Sequence, residues 1–145
     1  MESWQQDHGS AWRLTRHADL ASGRHLWGYH TVAPFTPSLD EDYFELARMA
    51  FDEAHGIFAI ADGTLVEEQV KYLELEQIGS TDKVAVEMRQ LVKGVEVLDA
   101  SVHALFTPMG SLLSLDSSAV PGVENLSVVP VSDGYVAVNA AMEHY

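Results

Sequence analysis

The sequence predicts an α+β domain: one antiparallel β-sheet with two helices packed on it, followed by an extra C-terminal β segment. Three observations lead there. Short apolar runs bounded by Gly, Pro, Asp and Ser occupy the first and last thirds of the chain. Two longer stretches between them carry apolar residues at helical spacing. The 145 residues are 47% hydrophobic, enough to bury roughly two-thirds of the unfolded surface in one core. Two helices on one sheet is the economical two-layer solution. With no linker, repeat or low-complexity stretch, residues 1–145 read as a single domain.

Residues 1–10 are polar and read as a loose terminus. "AWRLTRHADL" and "HLWGYHTVAPF" follow around the turn-like "ASGR" and predict two antiparallel strands, Trp12–Asp19 and His25–Ala33. Pro34 and Pro37 end the second strand, because each lacks a backbone donor and restricts the residue before it. Ser38-Leu39-Asp40-Glu41 fits a capping box, with Glu41 reaching back to the serine. Asp40, Glu41 and Asp42 also suit the positive end of a helix dipole. The first helix should run to about Ala54, with Gly56 ending it.

"GIFAIADGTLVEEQVKYLELEQIGS" then predicts a hairpin over Gly56–Ser80, turning at Asp62-Gly63. Its second arm is acidic, with Glu67, Glu68, Glu74 and Glu76 among apolar residues. Val84, Met88, Leu91, Val92, Val95, Leu98, Val102, Leu105 and Phe106 recur at helical spacing and predict a long second helix. Gly94 costs that helix about 1 kcal/mol of propensity. Thr107-Pro108 and Gly110 end it. "SLLSLDSS", "ENLSVVPV" and "YVAVNAAM" supply the C-terminal β segment.

From Trp12 to about Phe106 this order resembles the YbjN-like proteins, which share a fold with the type III secretion chaperones. "WRLTRHADLASGRHLWGYHTVAPFTP" looks like their first hairpin leading into a helix. "AHGIFAIADGTLVEEQVKYLELEQI" looks like their G-x-F…D-G hairpin, and "GSTDKVAVEMRQLVKGVEVLDASVHALF" like their final helix. The resemblance implies a non-enzymatic homodimer that holds other proteins, and it supplies no catalytic residues. A second resemblance, from Ser38 to Tyr145, is to the roadblock dimerisation module, and it accounts for the C-terminal strands.

Charge narrows the partners. Twenty-two acidic against eight basic residues give a net charge of −14. Such a field repels nucleic acid and anionic membranes; it fits a plainly soluble acidic surface or, more sharply, a basic protein partner, including one that itself holds nucleic acid. The absence of cysteine excludes disulfides and thiolate zinc sites. "MESWQQDHGS" lacks the basic and apolar regions of a secretory signal, and no apolar run reaches 18 residues, so a cytoplasmic protein is expected.

No motif establishes a reaction. On an extended strand Glu74 and Glu76 would share a face at roughly 6.6 to 6.8 Å between Cα atoms, a spacing open to acid–base chemistry. Alternation with Leu73 and Leu75 is equally what a half-buried strand shows. The seven histidines follow no metal-binding spacing, and no phosphate loop or nucleophile elbow marks a cofactor or catalytic site. The expectation is a non-enzymatic, homodimeric protein-binding module without cofactor or metal. Its partner-binding candidates are Trp27, Tyr29, Glu67, Glu68, Glu74 and Glu76. The rival is a small-ligand binder or enzyme with a pocket between sheet and helices.

Overall fold

A computed structural model describes residues 1–20, 22–28, 32–129 and 142. Among the described residues three helices, α1 (Glu2–His8), α2 (Asp40–Glu53) and α3 (His55–Phe58), accompany six strands. The strands are β1 (Arg13–Arg16), β2 (Gly23–Trp27), β3 (Leu65–Leu73), β4 (Lys83–Val92), β5 (Val95–Phe106) and β6 (Leu112–Ser117). They form one open antiparallel sheet in the order β1-β2-β6-β5-β4-β3. The α+β class expected from the sequence is therefore observed. The β1–β2 hairpin and the β3–β6 meander are joined where β2 pairs with β6, and α2 and α3 make the crossing between them.

α2 lies on one face of the sheet, against β3, β4 and β6. Its buried stripe, Tyr43, Phe44, Leu46, Ala47, Ala50 and Phe51, meets Val84, Val86, Met88, Val102, Ala104 and Leu115 from the strands. The alanines let the helix approach the sheet closely. The N-terminus of α2 is capped by Asp42, not Glu41: one Asp42 oxygen accepts from the backbone N–H groups of Ser38 (2.7 Å) and Leu39 (3.0 Å).

Three expectations need correction. The stretch expected as a long second helix is the β4–β5 hairpin. Val92 pairs with Val95, leaving the two-residue loop Lys93-Gly94 with both φ angles positive, 50° and 82°, as a type I′ turn requires. Along β4 the buried residues are Val84, Val86, Met88, Gln90 and Val92, a period of two. The helical reading passed over Val86 and placed Leu98 in the core, where it is 86% exposed.

The expected Gly56–Ser80 hairpin is also absent. Its first arm is α3 followed by Ala59 in the left-handed region, and β3 takes β4 as its partner. The Asp62-Gly63 turn is real: Thr64 Oγ1 donates to the Ala61 carbonyl at 2.7 Å, and Gly63 has φ 69°. It feeds a single strand. Lastly, the N-terminus is not loose through residues 2–8, because α1 buries Trp4 and Gln5 donates to the Trp12 carbonyl at 3.0 Å. "SLLSLDSS" provides β6 as expected. "ENLSVVPV" forms only a short 3₁₀ turn at Val123–Asn125 among the described residues. The strand expected in "YVAVNAAM" lies outside them, apart from Met142.

Candidate functional site

The sheet has one face under the helices and one face that the helices leave uncovered. Where α1 and α2 diverge over the end of the covered face, they leave a cavity of about 500 Å³. Trp4, Asp7 and His8 of α1 form one wall and Leu46, Met49, Ala50 and Glu53 of α2 another. Phe106, Gly110 and Leu112 close its floor, and the segment from Val32 to Pro34 edges the mouth. Each position follows from local structure. On α2 the cavity residues recur at helical spacing along one flank of the core stripe. Gly110 (φ 83°) has Pro37 Cδ only 2.7 Å from where a Cβ would stand, so the 107–111 turn can run under Leu46 only with glycine there.

Most of the wall is apolar, and the polar groups collect at one end. His8 Nε2 and Glu53 Oε1 are 2.7 Å apart, linking α1 to the end of α2. The His8 ring lies against Trp4, tilted by 32° with centroids 4.0 Å apart, and Trp4 meets Trp12 edge-on at 5.4 Å. This aromatic set fixes α1 over the cavity. The indole N–H of buried Trp4 has no acceptor among the described residues. Asp7 and Glu53 give that end a negative bias, and among the described residues no basic side chain other than His8 lines the cavity.

The sequence-predicted partner residues are not brought together. Trp27 sits on the uncovered face of β2, stacked on His25 at 4.7 Å. Tyr29 lies outside the described residues. Glu67 and Glu68 are on β3, four strands from β2 and roughly 19 Å away. Glu67 turns toward α2 and pairs with Arg48, while Glu68, at a β-bulge, pairs with Arg89 on the opposite face. Arg89 Nε is thereby paired through Glu68, so it is not an orphan donor. Glu74 and Glu76 do not share a strand face: β3 ends at Leu73, and Glu76 opens a 3₁₀ turn. Asp82 Oδ1 accepts from the backbone of Leu75 and Glu76 there and breaks the extended geometry that an acid–base pair would have used.

The cavity residues themselves were missed by sequence reasoning. Trp4 and His8 stand in a stretch read as loose, although their i, i+4 spacing with an aromatic at Trp4 was a usable helical signal. Among the described residues no group of three or more His, Asp or Glu side chains is gathered for a metal ion, and no helix is long and apolar enough to cross a membrane. Fold and cavity together define an open-sheet α+β domain with a half-enclosed apolar pocket. Comparisons with protein-family models, with curated proteins and with solved structures give no match to the chain.

Proposed function

We propose that this protein is a non-enzymatic binding protein for a small, largely apolar molecule with a neutral or cationic polar end, seated between α1, α2 and the sheet. The observation that carries this reading is the 500 Å³ cavity with apolar walls and its polar groups at one end. That volume is within the roughly 300–1,000 Å³ of ordinary ligand sites, as is the pattern of a few polar groups in an apolar wall. The carboxylates of Asp7 and Glu53 disfavour an anionic ligand. A chain with no cysteine needs no oxidising compartment, which fits a cytoplasmic setting.

Titrating the protein with a neutral apolar dye and with a matched pair of alkylamine and alkylcarboxylate tests this, using tryptophan fluorescence as the signal. Amine and dye should bind and the carboxylate should not, and Ala50→Trp, which fills the cavity, should abolish binding. Binding that survives Ala50→Trp would overturn the proposal. A second reading, a module that binds a basic partner protein, draws support from Trp27, which is 38% exposed on the uncovered sheet face of a chain with net charge −14.

A further inference from the structure

The uncovered face carries a row of six polar side chains, one from each strand. Register partners run Thr15–His25, His25–Asp116, Asp116–His103, His103–Glu87 and Glu87–Gln69. Crossing the sheet from β1 to β3, the row therefore reads hydroxyl, histidine, acid, histidine, acid, amide. Two His–carboxylate contacts are already formed within the chain, each an ion pair when the imidazole is protonated: His25 with Asp116, and His103 with Glu87 at 3.3 Å. These four side chains are still 32–48% exposed, so each has room for a second partner above it. The adjacent row places Trp27, Ser114, Leu105 and Ala85 side by side.

The first row alternates imidazole and carboxylate antisymmetrically about its midpoint. A two-fold axis parallel to the strands, passing between Asp116 and His103, lays a second copy on this face with the row reversed. His25 then meets Glu87 of the second copy, and Asp116 meets its His103. Thr15 meets its Gln69. In the next row Trp27 meets the small Ala85 of the second copy. Each of the four central residues of the first row finds its complement, Ser114 meets Leu105 of the second copy in the next row, and the operation is isologous, as a closed dimer requires. We propose that the uncovered face is a homodimer interface in this register, its occupant a second copy of the chain.

The edges limit it. The reversed row also sets Arg13 against Lys71 of the second copy at both edges, a like-charge contact that weakens the pairing. Arg89 is occupied by Glu68 and Glu96. Six strands about 4.8 Å apart and five residues along each cover roughly 400 Å² per copy, at the low end for protein pairs. The dimer is accordingly weak and concentration-dependent. It neither requires nor fills the cavity on the other face.

Sedimentation equilibrium from about 20 μM to about 1 mM, where weak interfaces of this size are read, should show the mass rising from 15.9 kDa toward twice that value. His25→Glu or Glu87→Lys alone sets like charges opposite each other twice per dimer and should weaken association by about tenfold. Mixing the two variants restores both pairs and should return the wild-type mass. Because the chain has no cysteine, a second measurement avoids the central row. Thr15→Cys mixed with Gln69→Cys should give mixed dimers with a short bis-maleimide linker, while Thr15→Cys alone should not. A wild-type mass of 15.9 kDa at the highest concentration overturns the interface. So does failure of the mixed variants to associate, or cross-linking of Thr15→Cys to itself.

Discussion

Replacing Gln90 with leucine should remove an anchor that holds the segment after β6 against the sheet. Gln90 is fully buried on β4, and its amide makes two hydrogen bonds to one residue: Nε2 donates to the Val120 carbonyl at 3.0 Å, and the Val120 N–H donates to Oε1 at 2.9 Å. A glutamine side chain thus pairs with the 119–121 segment as a neighbouring strand would. Leucine keeps most of the volume and deletes both bonds. Each neutral bond is worth about 0.5–1.5 kcal/mol net, and each backbone group left unpaired costs about 1–3 kcal/mol if it stays dry. Val120 is only half buried, so water recovers part of that cost, and the expected loss is about 2–3 kcal/mol. For a domain of this size each kcal/mol moves Tm by roughly 3–5 °C. Thermal unfolding followed by circular dichroism should therefore fall by roughly 6–15 °C. Glutamate, which retains the acceptor and loses the donor, should be at least as damaging. A Gln90→Leu protein within about 0.5 kcal/mol of wild type would refute the anchor, since a loss that small is ordinary for surface positions.

Three further outcomes follow from the same coordinates. The Asp42 carboxyl is held below its ordinary 3.8, chiefly by the Ser38 and Leu39 backbone amides, so its contribution is present above that value and fades as pH falls through the lower folded-state value. The stability gap between wild type and Asp42→Asn, measured by urea titration, should be constant above about pH 5 and shrink below 3.8. Tyr72 is 56% exposed, yet its hydroxyl donates to Asp40 at 2.7 Å, and that bond foremost pushes its pKa up to about 12. Its contribution is complete below 10 and lost as pH rises through about 12, so Tyr72→Phe should remove a tyrosine that titrates near 12 from the ultraviolet absorbance curve. Glu67→Gln and Glu68→Gln break ion pairs that are about half exposed and should each cost no more than about 1 kcal/mol in chemical unfolding.

Legibility in the sequence divided along physical lines. β1, β2 and α2 were readable in kind because their signals, a turn cluster and an acidic first helical turn, are local. The expected strands Trp12–Asp19 and His25–Ala33 were drawn too long: β1 is Arg13–Arg16, and β2 is Gly23–Trp27, which begins inside the expected turn and ends well before Pro34. The β4–β5 hairpin was not readable even in kind. In "KVAVEMRQLVKGVEVLDASVHALF" the apolar residues are dense enough to satisfy periods of both two and 3.6. Two features favour strands: β-branched valines at 84, 86, 92, 95, 97 and 102, and Lys93-Gly94 flanked by valines, which suits a type I′ turn. Gly94 was weighed as a flaw in a helix when it was the turn itself. On β5 the period is broken as well, because Arg89 pairs with Ser101 but Leu91 pairs with Glu96, which leaves surplus residues on β5 around Asp99 (φ 57°). That bulge puts Leu98 outside and Ala100 inside, which no fixed period can track.

The cavity was hidden for a different reason. Its two halves are more than 30 residues apart in the chain, and they meet only because α1 folds back onto the end of α2. Trp4 and His8 had the right spacing for a helical face, but a seven-residue helix is marginal by itself. What holds α1 is tertiary: Trp4 against Trp12, Gln5 on the Trp12 carbonyl, and His8 on Glu53. The same contacts that create the helix create the pocket wall, so neither is visible before the other. The polar row on the uncovered face follows the opposite logic. Thr15, His25, Gln69, Glu87, His103 and Asp116 have no sequence relationship, yet sheet register alone aligns them. A carboxylate beside a histidine on neighbouring strands satisfies each side chain locally. Alternation carried across the four central strands leaves a face on which imidazole and carboxylate pair within the chain and match again when reversed. In a chain of net charge −14, each carboxylate of this row already has an imidazole partner, so it is a place where two strongly acidic molecules can meet.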